Sequence, residues 1–214
     1  MLDNFSDVSN EDFLDAVSEA LNIGMGYSAS VLSEMVQEEV KLSVPRVEFV
    51  TPPDALKLIQ SKTDNEVSGV CQSFDGFMGG DVLLLFPEEK SLQLVRAVLE
   101  QNPSFEDLTS FEDLTEMEQE AMTEIGNVIL NGCLCSIADL FQQKVTSGMP
   151  EFVKGQINSI LTNDKMLNKV EACVLLLDME FALDKKHVEG YVSFLMDIES
   201  LSVFKQSVVS FMDC

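Results

Sequence analysis

Two short stretches carry the residues best suited to chemistry. "SEALNIGMGYSAS" (18–30) sets Glu19 three residues before Asn22, and "TEIGNVILNGCLC" (123–135) sets Glu124 three residues before Asn127. A shift of 105 residues superimposes the two pairs, and the same shift carries Pro45 onto Pro150. Each copy reads acid, three residues, Glu, two residues, Asn, 22 residues, Pro. The residues are Asp15, Glu19, Asn22 and Pro45, then Glu120, Glu124, Asn127 and Pro150. A carboxylate can receive a partner's cationic side chain, and a carboxamide can both donate to and accept from a water at any pH. Three residues apart on a helix, the two groups are neighbours one turn apart.

The elements that must present them are two long helices, expected over 11–42 and 116–143. On the first, Val17, Ala20, Leu21, Gly24, Ser28, Val31, Leu32 and Met35 fall within about 60° of one direction. On the second, Met122, Ile125, Gly126, Ile129, Cys133, Ser136, Ile137 and Leu140 make the matching stripe. Asp15, Glu19 and Asn22 lie opposite the first stripe, and Glu120, Glu124 and Asn127 opposite the second, so both sets are expected to point outward. Gly24 and Gly126 belong to the packed faces, where each would let another backbone approach at a cost of about 1 kcal/mol in helix propensity. A solvated polar face is the plain alternative. Asparagine is a poor helix former, however, and solvation gives no reason to keep it at one register in both copies.

The repeat extends further. "GDVLLLFPEEKSLQLVRAVL" (80–99) resembles "GYVSFLMDIESLSVFKQSVV" (190–209), and both read as strand, acidic turn and amphipathic helix. "PRVEFV" (45–50) reads as a strand, and "EFVKGQI" (151–157) pairs with it as a strand. "VSGVCQSFDG" and "GDVLLLFP" are joined around Gly76–Gly80, and "EACVLLLDMEFAL" and "HVEGYVSFLMDI" form a hairpin over "DKK". The tandem "SFEDLT" in 102–115 marks the junction, and a last helix is expected over 199–212. The prolines read as shaping the loop after each long helix. "DALKLIQSK" and "NSILTNDKML" are left unplaced. The fold class is therefore α+β: one domain over 1–214, with internal repeats at about 11–100 and 116–212. Each of the two pseudo-symmetric halves is a long helix followed by strands and a helix, and the halves share one core.

Composition narrows the function. Thirteen basic residues stand against 37 acidic ones, a net charge of −24. That balance argues against nucleic acid and against anionic membranes, both of which need a cationic patch. Five scattered cysteines have no framework spacing, and Cys133-x-Cys135 lacks a second pair, with the single His187 far away. No metal site is expected; a hydrolase using Asp15, Glu19, Glu120 and Glu124 as ligands would lack histidine and depend on partners from elsewhere. The acidic, polar start is no signal peptide, and the aliphatic runs are too short to span a bilayer. A cytoplasmic protein is the natural reading.

At these residues the chain resembles the CheC/CheX/FliY family of bacterial chemotaxis phosphatases. Their signature is an acid or serine, three residues, Glu, two residues, Asn, 22 residues, Pro. Two intact copies in one chain are the CheC arrangement. Glu120 departs from the family's usual Asp or Ser at that place. The resemblance implies hydrolysis of the aspartyl phosphate on a CheY-type response regulator, with Asn22 and Asn127 orienting the attacking water. It implies that Glu19 and Glu124 pair with the regulator's lysine, and that Asp15 and Glu120 are auxiliary; Asp15 tilts the expectation slightly toward the first copy. It implies no cofactor of the protein's own, Mg²⁺ being supplied on the regulator. CheC members often pair with CheD, which implies a second partner surface. The alternative is a non-catalytic module that binds a phosphorylated regulator, or an adaptor at the flagellar switch.

Overall fold

The computed structural model describes residues 11–61, 66–100, 115–163, 172–183 and 186–212. The first half runs α1 (Glu11–Val36), β1 (Val40–Val50), α2 (Pro52–Gln60), β2 (Glu66–Gly76), β3 (Gly80–Pro87) and α3 (Glu88–Glu100). The second runs α4 (Glu116–Leu140), β4 (Val145–Ser147), β5 (Glu151–Gln156), α5 (Ile157–Asn163), β6 (Ala172–Leu183), β7 (Lys186–Asp197) and α6 (Ile198–Met212). With β4 and β5 counted as one interrupted strand, the two halves have the same element order. Of the two unplaced segments, 54–60 falls in α2 and 158–163 in α5, while residues 62 and 164–167 lie outside the described residues. The "SFEDLT" repeat lies outside the described residues, apart from Thr115, which caps α4 in a capping box with Glu118.

Both long helices stop earlier than the sequence suggests, at Val36 and Leu140 rather than 42 and 143. Each is followed by a glutamine in the left-handed region, Gln37 (φ 57°) and Gln142 (φ 52°). The shift of 105 residues that relates the motifs also relates these two residues. A left-handed residue turns the chain out of the helix, and two residues separate Gln37 from "VKLSV", which begins β1. Pro45 therefore sits inside β1 rather than in a loop before it. Its missing N–H is tolerated because β1 is an edge strand and its pairing slips between Ser43 and Arg46. Pro150 immediately precedes β5, as expected.

The sheet order is β1-β6-β7-β3-β2-β4, with β5 also on β2. The hairpins β2–β3 and β6–β7 meet at its centre, where Leu84 faces Val192. The first strand of each half is not on its own hairpin: β1 pairs with β6, and β5 and β4 pair with β2. "PRVEFV" and "EFVKGQI" are thus equivalents on opposite edges and do not touch as neighbours. Each hairpin is completed by the other half's strand, which is why one sheet serves both.

The helices cover both faces. Val70, Leu84, Leu175 and Phe194 pack with residues of α1, α4, α3 and α6, while Leu83, Leu85, Val174 and Leu176 pack with α2 and α5. By length and composition α4 could cross a bilayer, but Met122, Ile125, Ile129, Cys133 and Ile137 are buried in the first of these layers. Helices α1 and α4 run antiparallel and very close. Ser28 Oγ donates to the Val128 carbonyl at 3.0 Å. A Cβ on Gly24 would lie 2.4 Å from the Gly132 carbonyl oxygen. Gly24 thus admits a neighbouring backbone, as the stripe suggested. Gly126 does not: a Cβ there would strike the Val70 side chain of β2.

Candidate functional site

The carboxylates of both motifs reach solvent. Asp15 and Glu19 on α1 are exposed, as are Glu120 and Glu124 on α4. None of the four makes an ion pair among the described residues, so each is available to an incoming cation. The two amides behave differently. Asn22 and Asn127 are both half-buried, at the flanks of their helices rather than at the outermost point.

Asn22 is engaged by its own half. Its Nδ2 donates to Ser18 O at 3.0 Å and to Val44 O at 3.4 Å. Its Oδ1 accepts from the Val44 N–H at 3.0 Å. Val44 and Pro45 are the two residues skipped where the β1–β6 register shifts. The Asn22 amide stands in for the missing strand partner of Val44, whose buried N–H would otherwise go unpaired. The interval of 22 residues between Asn and Pro thereby acquires a structural meaning: the amide closes the bulge that the proline marks.

In the second half that task falls elsewhere. The corresponding break is the gap between β4 and β5. There the Gly148 N–H donates to Ser73 O at 2.8 Å, and Gln72 Nε2 donates to Gly148 O at 2.9 Å. Gln72 does this while its Oε1 stays buried without a partner among the described residues. Met149, the counterpart of Val44, is turned out and 85% exposed. Asn127 therefore has no strand to hold. Its Oδ1 accepts from Asn131 Nδ2 at 2.7 Å, and Asn131 Oδ1 accepts from Ser147 Oγ at 2.8 Å. The Asn127 Nδ2 has no partner among the described residues. Glu124 lies one turn back on the same helix, within reach of any group that meets this amide.

Asn131, Ser147 and Gln72 were not singled out from the sequence. The i, i+4 pair of asparagines in "NVILN" was the available signal for the first. The two prominent cysteines do not converge: Cys133 is buried, which pushes its thiol up to about 12, and Cys135 is exposed on another side of α4. Between α1 and α4 runs an open groove of about 910 Å³ that Glu19, Asn127 and Asn131 border. Ile23 (64% exposed) and Tyr27 (70% exposed) stand on its α1 wall. A surface with apolar walls and carboxylate edges suits a protein partner carrying a cation.

No family model matches the chain. The chain is 24% identical over 196 residues to the CheY-P phosphatase CheC of Bacillus subtilis (strain 168), covering 89% of this chain and 90% of that protein. Its fold is that of Thermotoga maritima FliY, with a TM-score of 0.72 at 17% identity over 95% of this chain and 99% of the other. The FliM middle domain from H. pylori also superimposes, with a TM-score of 0.65 at 11% identity over 92% of this chain and 99% of that one.

Proposed function

We propose that this chain, similar to CheC and sharing the FliY fold, is a chemotaxis protein that accelerates hydrolysis of the aspartyl phosphate on a CheY-type response regulator through the second copy of its motif. One observation carries this reading: the Asn127 amide, alone of the two, offers an Nδ2 with no partner among the described residues, at a surface that a partner can reach. Sequence alone leaned to the first copy because of Asp15; the bonds from Asn22 to Val44 turn the preference to the second.

The chemistry asked of this chain is small. The regulator brings the phosphoryl group, the Mg²⁺ and the lysine that surround it. What remains is to hold one water in line with the scissile bond, which is a matter of position and orientation. The Asn127 amide donates to that water through Nδ2 and accepts through the second lone pair of Oδ1. Glu124 takes the regulator's lysine and fixes the docking register, and Glu120 adds negative charge one turn earlier. Removing one such orienting group typically costs about 10²–10³ in rate. A cytoplasmic location goes with that substrate.

The test is phosphate release from a purified phosphorylated CheY with wild-type protein, with Asn127→Ala, and with Asn22→Ala and Asn127→Ala combined. The wild type accelerates release, and both variants that lack Asn127 do not. Acceleration that survives the double change rules the mechanism out. The likeness to FliM favours a second reading, in which the same surface binds the phosphorylated regulator or a flagellar-switch component without turnover. A binding-only protein leaves phosphate loss unchanged or slows it.

A further inference from the structure

We infer that Asn131, anchored by Ser147, is a positioning residue that holds one end of the Asn127 amide and leaves the other to face the partner. The inference deepens the phosphatase reading and rests on it. An amide side chain has two nearly isosteric ends, a donor and an acceptor, and an unrestrained one presents either. Here one end is taken up by a relay. Ser147 Oγ, on β4, donates to Asn131 Oδ1 at 2.8 Å. The hydroxyl ties the Asn131 amide to the strand, and the Asn131 Nδ2 donates to Asn127 Oδ1 at 2.7 Å. With its carbonyl held toward residue 131, Asn127 must turn its NH₂ away from the relay. Because Ser147 belongs to a strand paired with Phe74 of β2, the relay references Asn127 to the sheet and not merely to its own helix.

The first half has no such relay. The shift of 105 residues places Gly26 where Asn131 stands and Leu42 where Ser147 stands. Gly26 is exposed, and a Cβ added there would meet nothing within 4 Å among the described residues. The relay therefore accompanies the amide that the strand does not hold, and it is missing beside the amide that the strand does hold.

Asn131→Asp tests this with little change of shape. The carboxylate has no N–H to give, so it draws the Asn127 Nδ2 inward and presents the carbonyl to the partner instead. Asn131→Asp is expected to lower kcat for phosphate release by between about tenfold and a hundredfold, the usual effect of misplacing a reacting group. KM should move less than the rate, and the substitution should add nothing in an Asn127→Ala background. Independently of activity, the side-chain ¹⁵N–¹H resonances of Asn127 should shift in Asn131→Asp and, less, in Ser147→Ala. A wild-type protein that gives no acceleration overturns the phosphatase reading together with the catalytic meaning of the relay. Acceleration by the wild type with an undiminished kcat in Asn131→Asp overturns the positioning role alone. Unchanged Asn127 resonances in Asn131→Asp overturn the relay itself.

Discussion

Replacing Asn22 by alanine removes both hydrogen bonds that tie α1 to the β1 bulge. Val44 is only 2% exposed, so its N–H is left buried and unpaired, at a cost of about 1–3 kcal/mol. Alanine returns about 0.7 kcal/mol of helix propensity. The net loss is about 0.3–2.3 kcal/mol, which in a chain of this size lowers the melting temperature by about 1–9 °C. Replacing Asn127 gives a different balance. One hydrogen bond from Asn131 is lost, worth about 0.5–1.5 kcal/mol, and the propensity gain offsets most of it. The melting temperature should move by less than about 3 °C, while accelerated phosphate release falls by about 10²–10³. Thermal melts and phosphate release, measured on both single variants, separate the two roles. The reasoning is refuted if Asn22→Ala melts like the wild type yet loses acceleration as completely as Asn127→Ala.

Three further expectations follow from the packing and the charge. Gly132→Val should destabilise by about 1–3 kcal/mol through overpacking, because a Cβ there would fall on Ser28 Oγ; Gly26→Ala, in open space, should stabilise by up to about 1 kcal/mol, and thermal melts check both. Burial alone would raise the Glu118 carboxyl, but its hydrogen bonds from Arg96 and Thr115 outweigh that and hold it below the usual carboxylate range. A depressed folded-state value stabilises above the ordinary carboxylate range, and that contribution is lost as pH falls through the folded value. Glu118→Gln should therefore cost about 1–3 kcal/mol at neutral pH, and denaturant titrations should show the gap to the wild type closing as pH falls below about 4. With a net charge of −24, this chain repels any regulator that is itself acidic, so with such a regulator at low concentration phosphate release should quicken as salt rises from about 0.02 to 0.15 M. Steep inhibition over that range would contradict this.

Much of the architecture was legible because it is written in local periodicity. Strand β3 spans the same residues as "GDVLLLFP", and β6 and β7 begin and end within a residue or so of the segments read from sequence. The duplicated motif also located both asparagines. What local pattern could not supply was the exchange of edge strands, since β1 and β5 look alike in sequence and their partners are chosen by the whole sheet. The end of α1 is not legible because "QEEV" continues a helical composition while Gln37 takes a left-handed turn that glutamine composition does not advertise. The division between the two amides was hidden for a related reason. Asn22 and Asn127 occupy equivalent places on their helices, and their difference lies in where residues 44 and 149 go next: one into the skipped register of β1, the other out into solvent.

The crossed placement of the edge strands bears on how such a molecule can change over time. A lone unit of this kind would have an unfilled ladder beside its hairpin and would need a twin to fill it, and in a pair of identical twins every substitution is made twice. Glycine at one place and asparagine at its equivalent, as at 26 and 131, could not then coexist. Joining the twins end to end makes their association intramolecular and also lets each half mutate alone. Tandem fusion thus permits one half to become scaffold while the other keeps the working chemistry.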